Sequence, residues 1–366
     1  MINTIKKNLQ TASKKIGYNI FSLFFGKIKG VVNSNNNKSI KILNSTLGEN
    51  HSYKIFRIKN GRIYTDTIND TAFILDNMIV KGPSFQLRNV KNSHITNNIV
   101  FEKGTPKFKK KLKGTVFSLL TGGAGNSNYW HWLFDVIPRI KILENKIDLK
   151  DIDFFLFPDL KKKFQHETLE LLNIPMKKRI SSREYRHIQS NESVSVDHPY
   201  VMNNDPKNEV QDIPNWILDY LKKKFIRKNF KEYPKKIYID RSDSKSNHSH
   251  LRKIINEDEV KKLLIKKGYS IIRLSDLSFI SQVSLFNNAA KIIGLHGAGF
   301  ANLTFCRPGT LVVELKPISA GLVISNLAKK LKLDYHDISI EPLKYSNNDQ
   351  QGLIKIPLNS LEKKIS

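Results

Sequence analysis

Between Lys236 and Leu315 the chain repeats one pattern: a short apolar run, an amphipathic stretch, then another apolar run. The spacing predicts strands at Lys236–Asp240, Ser270–Leu274, Lys291–Leu295 and Thr310–Leu315. Helices are expected at Glu257–Lys267 and Ile280–Asn288, with a short one at Ala301–Cys306. Strands that alternate with helices are joined by crossovers, so they pair in parallel and carry helices on the sheet faces. That excludes a helical bundle or a β-sandwich for this part, and it places a ligand beyond the carboxyl ends of the strands. A similar rhythm starts earlier, with a strand at Asp153–Phe157 and a helix at Lys161–Leu172. Upstream, Tyr53–Ile58, Ala72–Val80 and Ile95–Phe101 read as strands between turns. With 366 residues there is room for about two domains. The expected division is a basic amphipathic segment and linker over 1–38, an α/β domain over 39–230, a Rossmann-like domain over 231–345 and a tail over 346–366. The Lys- and Pro-punctuated stretch Leu221–Lys236 forms the junction.

Charge is the compositional outlier, with 61 Lys and Arg against 33 Asp and Glu giving a net charge of +28. A field of that sign favours polyanions, whether nucleic acid, anionic lipid or phosphorylated small molecules, without choosing among them. Abundant Lys, Asn and Ile, as in Asn33–Ile42, attribute more than half of the excess to compositional bias and a solvated surface. No zinc-finger spacing, aromatic RNA-binding signature or basic heptad helix is present, so no specific nucleic-acid partner is expected. The single cysteine, Cys306, cannot form an intramolecular disulfide or a Cys-based zinc site. The start lacks an apolar core followed by a small-residue cleavage site, and the charge-free stretch Gly114–Phe134 is broken by glycines. The expectation is therefore a cytoplasmic protein with no leader and no membrane span. Ile5, Leu9, Ile16, Ile20, Leu23 and Phe24 recur at near-helical spacing with lysines on other faces. This is either a basic helix lying on the inner face of an anionic membrane or a terminal helix docked against its own protein.

The sharpest local feature is Leu295-His296-Gly297-Ala298-Gly299-Phe300-Ala301-Asn302, where a strand runs into glycines and a helix start. Backbone N–H groups and the positive end of a helix dipole can there approach an anion closely. His296 is either a phosphate ligand or a buttress for the loop. Arg241, after the first strand of this half, and Arg252 can neutralise a diphosphate, or they can form a surface ion-pair net with the acidic residues nearby. Glu314, at the end of the strand Thr310–Leu315, suits either the hydroxyls of a ribose or an ion pair. In the first half, glycine-rich Thr121–Gly125 leads into Asn128, His131, Trp132 and Asp135. If helical, Asn128, His131 and Asp135 share a face, and a carboxylate beside an imidazole makes a competent general base. Trp130 and Trp132 are packing residues or a platform for a sugar.

Taken in order, Asn128-x-x-His131-Trp132-x-x-Asp135-x-x-Pro138, then Arg241, Arg252-x-x-x-Asn256-Glu257, Gln282, Gly294-x-His296-Gly297-Ala298-Gly299-x-x-Asn302, Pro308-Gly309 and Glu314-Leu315-x-Pro317 resemble glycosyltransferase family 61. That family includes bacterial capsule and lipopolysaccharide transferases, plant xylan-modifying enzymes and animal transferases of N-acetylglucosamine. The resemblance implies a GT-B architecture, two Rossmann-like domains facing across a cleft, and an inverting, metal-independent transfer in surface-polysaccharide assembly. The donor would be a nucleotide sugar, a UDP-sugar in the first instance, bound as substrate with no further cofactor. The acceptor would be a glycan or lipid-linked glycan. His131 and Asp135 would be catalytic, Asn128 and Trp132 would lie on the acceptor side, and Arg241, Arg252, His296, Gly297, Ala298, Gly299, Asn302 and Glu314 would hold the donor. Asp151-Ile152-Asp153 has the form of a metal motif but precedes its strand, and it reads as a helix cap or strand start. A catalytically inactive sugar-nucleotide binder and a basic nucleic-acid-binding protein are the alternatives.

Overall fold

The computed structural model describes residues 16–49, 51–66, 71–84, 94–120, 127–201, 212–227, 232–242, 252–343 and 352–365. The stretch Thr121–Gly125 and the apolar positions Ile5 and Leu9 lie outside the described residues. The chain divides into two units, one of Met1–Gln165 with Asn173–Val210, the other of His166–Leu172 with Gln211–Ser366. The division falls ahead of the expected junction because helix Asn215–Phe225 belongs to the second unit, where Phe225 packs edge-on against Phe279 at 4.9 Å.

The first unit is built on a ten-stranded mixed sheet. Four of its strands are parallel neighbours, in the order Arg179–Ser181, Phe154–Phe157, Lys110–Ser118, His187–Val196. In chain order this is three-two-one-four, with a switch point between Lys110–Ser118 and His187–Val196. The remaining pairs are antiparallel apart from the edge pair Gly30–Val32 with Met78–Val80, so the Rossmann-like α/β sheet expected here is a mixed one. The cause is turn chemistry: Asp76 and Asn77, at φ 50° and 61°, close a two-residue hairpin between Thr71–Leu75 and Met78–Val80 and split the single run Ala72–Val80. Ile95–Phe101 is not a strand either. His94 and Asn98 accept the N–H groups of Thr96 and Val100, and the chain forms a 3₁₀ turn and a short helix. The core under the sheet gathers Ile58, Ile63, Phe73, Val116, Leu156 and Ile188.

Residues 16–25 are helical. One flank docks on the first unit, with Phe21 against Phe108 at 5.2 Å, Phe25 against His187 at 4.9 Å and Lys109 over the Phe25 ring at 5.4 Å. Gly30–Val32 then pairs in parallel with Met78–Val80, so the described part of 1–38 is integral to this unit. No helix among the described residues is long and apolar enough to cross a membrane.

The second unit carries a five-stranded, wholly parallel sheet in the order Ser270–Arg273, Lys236–Asp240, Lys291–Leu295, Leu311–Pro317, Asp334–Ile340. This is the two-one-three-four-five order of a doubly wound fold, with its switch point between Lys236–Asp240 and Lys291–Leu295. The three inner strands are largely apolar because both their faces are covered; Tyr238, Ile293, Val313 and Leu315 sit in one core. The expected tail is part of that core. Gly352–Ile354 pairs with Arg252–Ile254, and Ile356, Leu361 and Ile365 pack with Val260 and Leu264. Asn256 fixes this junction, donating to the Ile356 carbonyl and accepting its N–H, both at 2.9 Å.

Candidate functional site

In the first unit, the chemistry gathers at the carboxyl ends of the two switch-point strands. Asn128, expected beside an acceptor, is the N-cap of the helix that follows Lys110–Ser118; its Oδ1 accepts the Trp130 N–H at 2.9 Å. The helix runs Tyr129–His131, widens into a π-turn over Trp132–Val136 and resumes as Ile137–Glu144. Pro138 explains the π-turn, because it has no N–H for the preceding carbonyl and its ring would clash there, so the ladder re-registers ahead of it. Trp132, also expected on the acceptor side, is fully buried against Phe157 at 5.9 Å; it packs and offers no face to a sugar.

His131 and Asp135 do meet, Nδ1 to Oδ2 at 2.9 Å. The histidine side chain is 25% exposed and the carboxylate is fully buried. Two further residues converge on Asp135 that the sequence did not single out: the Tyr200 hydroxyl donates to Oδ1, and His198 Nε2 stands 3.8 Å from Oδ2. His198 Nδ1 accepts the N–H groups of Tyr200 and Val201 at 3.3 and 3.2 Å, so its proton is on Nε2, facing the carboxylate. Arg139 closes the group, donating through Nε to the Asp135 carbonyl at 3.2 Å. Burial alone would raise the Asp135 pKa, but the charge and hydrogen bond of His131, with help from His198, hold it well below the carboxylate range. Burial would likewise lower the His131 pKa, and the Asp135 charge and hydrogen bond outweigh it, so the imidazole titrates above its ordinary value. Burial lowers the His198 pKa and keeps that ring neutral. A half-open imidazole backed by a buried, oriented carboxylate is the arrangement of a general base.

In the second unit, the loop His296–Gly299 lies at the carboxyl end of the central strand. The sheet edge orders it: the His296 N–H donates to the Leu315 carbonyl at 2.8 Å. Its 3₁₀ helix begins at Ala298, three residues earlier than expected, and runs to Phe305 with Gly297 as N-cap. Asn302, expected on the donor, is buried and donates to Gln282 at 3.1 Å and to the Gly299 carbonyl at 3.3 Å, so it clamps the loop from within. Glu314 is also fully buried. It accepts from His296 Nδ1 and, at 2.5 Å, from the Tyr335 hydroxyl, a partner that sequence reasoning missed. Both carboxylate oxygens are thus engaged within the protein, and Glu314 orients His296 where a ribose contact was expected.

Arg241 follows the neighbouring strand and donates through Nη1 to the His296 carbonyl. A Cβ at Gly297 would lie 2.1 Å from that nitrogen, so glycine is what lets the guanidinium rest on the loop. Burial, then the nearby charge of Arg241, push Arg252 down to about 10. Arg252 thus lies close enough to Arg241 to feel its charge. Nearby in the chain, Asp240 pairs with Lys261 at 3.2 Å and accepts the Ser242 N–H, and Glu257 accepts from the Tyr238 hydroxyl at 2.9 Å. A glycine turn, the start of the helix Ala298–Phe305 and a guanidinium on the loop carbonyl are chemistry suited to an anion. Asp151 and Asp153 are employed locally, the first in the 3₁₀ turn Leu149–Asp151 and the second accepting the Thr115 N–H at 2.7 Å.

Among curated proteins, a xylan glycosyltransferase of Arabidopsis thaliana is 30% identical over 125 residues, which is 31% of this chain and 25% of that protein. The match thus spans a quarter of the relative's length. The family model for glycosyltransferase 61 matches residues 129–313, half of the chain, from the His131 helix through the glycine loop to the start of the strand Leu311–Pro317. By that match, over the stretch that carries both constellations, the chain belongs to glycosyltransferase family 61.

Proposed function

We propose that the protein is an inverting glycosyltransferase that moves a sugar from a nucleoside diphosphate sugar, with uridine as the first nucleotide to test, onto a hydroxyl of a glycan or lipid-linked glycan. The observation that carries this reading is the glycine loop at the switch point of a doubly wound sheet, with Arg241 seated on its His296 carbonyl and Arg252 near enough to feel the Arg241 charge. In one displacement the acceptor oxygen attacks the anomeric carbon as the bond from that carbon to the distal phosphate oxygen breaks. The hydroxyl proton passes to His131 Nε2, and the electron pair leaves with the diphosphate. Arg241, Arg252 and the loop N–H groups meet that charge, a role that a metal ion fills in other transferases. His131 takes the proton because it is the exposed member of its pair; Asp135, Tyr200 and His198 position it. The two units working face to face, as in a GT-B enzyme, and a place in surface-polysaccharide assembly at the inner face of a membrane are parts of the same proposal.

The test is thermal stabilisation by UDP, GDP and CMP and their sugars, followed by turnover with the best donor in the presence of a chelator. One nucleotide diphosphate is expected to stabilise the protein, by about 2.7 kcal/mol at a hundred times its Kd, and turnover is expected to persist in EDTA. No stabilisation by any of them would overturn the donor assignment.

The base makes a pH prediction. His131 must be neutral to accept a proton, and its pKa is raised, so the acidic limb of kcat is expected above the ordinary histidine value of about 6.5. In Asp135→Asn the carboxylate charge is gone while burial, which lowers the pKa, remains. The limb is then expected to move to lower pH as the rate falls. A limb that stays in place would assign it to another group.

A further inference from the structure

The helix over 16–25 uses only one flank for docking. The other flank presents Ile16, Ile20, Leu23 and Phe24, and Phe108, which meets the helix at Phe21, is exposed with them; all five are 47–86% exposed. The spacing of four, three and one puts the helical residues in one stripe. A contiguous apolar patch of this kind marks an interaction surface. Its surroundings are basic. Lys27, Lys29 and Lys107 are exposed around the patch, Lys109 reaches over Phe25, and neither 16–32 nor 103–113 contains an acidic residue. The positive groups are dense enough that burial, Arg62 and Lys111 together lower the Lys109 pKa.

From this we infer that the helix over 16–25 and the tip at Phe108 form a docking surface for an anionic lipid bilayer, with Leu23, Phe24 and Phe108 entering the interface and the lysines meeting lipid phosphates. A second copy of the chain fits the patch less well, since it would bring the same lysines together on a protein already at +28. An anionic bilayer supplies an apolar layer and the opposite charge at once.

The experiment is co-sedimentation of the full chain with phosphatidylcholine vesicles, with and without phosphatidylglycerol. The protein is expected to bind only the anionic vesicles and to be released by salt. Leu23→Gln/Phe24→Gln is expected to lower partitioning by about tenfold or more at an unchanged melting temperature. Lys27→Gln/Lys29→Gln/Lys107→Gln is expected to lower it about fivefold per charge. Trp130, Trp132 and Trp216 are buried, so a Leu23→Trp variant gives a second reading: its fluorescence is expected to be quenched by brominated lipid in anionic vesicles. Equal binding to neutral vesicles, unaltered binding by the Leu23/Phe24 variant or absence of quenching would overturn the inference. So would a dimer in sedimentation velocity that the Leu23/Phe24 variant abolishes, which would make the patch a contact between copies.

Discussion

Replacing His131 by alanine is expected to slow turnover by about 10²–10⁴ while leaving donor affinity nearly unchanged, because removal of a general base acts on the transition state and not on diphosphate binding. The imidazole lies on a helix of the first unit, whereas the diphosphate is assigned to the second, so the fold should survive the change. Asp135→Asn is a harsher variant. It removes the charge that holds His131 and leaves one acceptor oxygen where His131 and Tyr200 had two, in a fully buried side chain that His198 also faces. Turnover and donor binding measured side by side in both proteins separate the outcomes. Near-wild-type turnover in folded His131→Ala would return the pair to a structural role and leave the base to be found elsewhere.

Arg241→Ala/Arg252→Ala is expected to produce the largest loss of donor affinity. One charge-assisted contact is worth about 1.5–3 kcal/mol, or roughly tenfold to a hundredfold in Kd. The two arginines act on one anion, so their effects will not multiply simply. Removing Arg241 also removes a like charge that acts on Arg252. The single variants are therefore expected to sum to a different loss from the double. Calorimetric titration of UDP, GDP and CMP into the three folded variants reads this directly, and unchanged binding in the double variant would remove the arginines from the donor site.

The second unit was the more legible half. Its strands are buried on both faces, so each stands out as an unbroken apolar run, and Lys236–Asp240 and Lys291–Leu295 fall where the spacing places them. Asp334–Ile340 went unnoticed because it is an edge strand whose residues are largely polar and partly exposed. The pairing of His131 with Asp135 was legible because it is local, four residues along a helix. Tyr200 was not, since it reaches Asp135 from 65 residues away, and Tyr335 reaches Glu314 across two neighbouring strands. Composition and spacing carry no trace of such contacts. They arise only when sheet order brings two strand ends together. Asn302, Glu314 and Trp132 show the opposite error: residues with suitable chemistry in suitable places turned out to be occupied inside the protein.

The pairing of Arg252–Ile254 with Gly352–Ile354 bears on where this protein can be cut or recombined. One of the two arginines proposed for the donor rides on a strand whose sheet neighbour among the described residues lies a hundred residues further along the chain. The span that identifies the family ends at residue 313, before that neighbour. A fragment or chimera drawn to the family boundary would keep the glycine loop and most of the parallel sheet, yet leave Arg252 without its anchor. Synthesis meets the same constraint, because the loop can form as soon as residues 291–315 are out, whereas the second cation has to wait until residue 354 has emerged. Folding order thus separates the two arginines, and under the donor site proposed above the nascent chain gains its second cation only late.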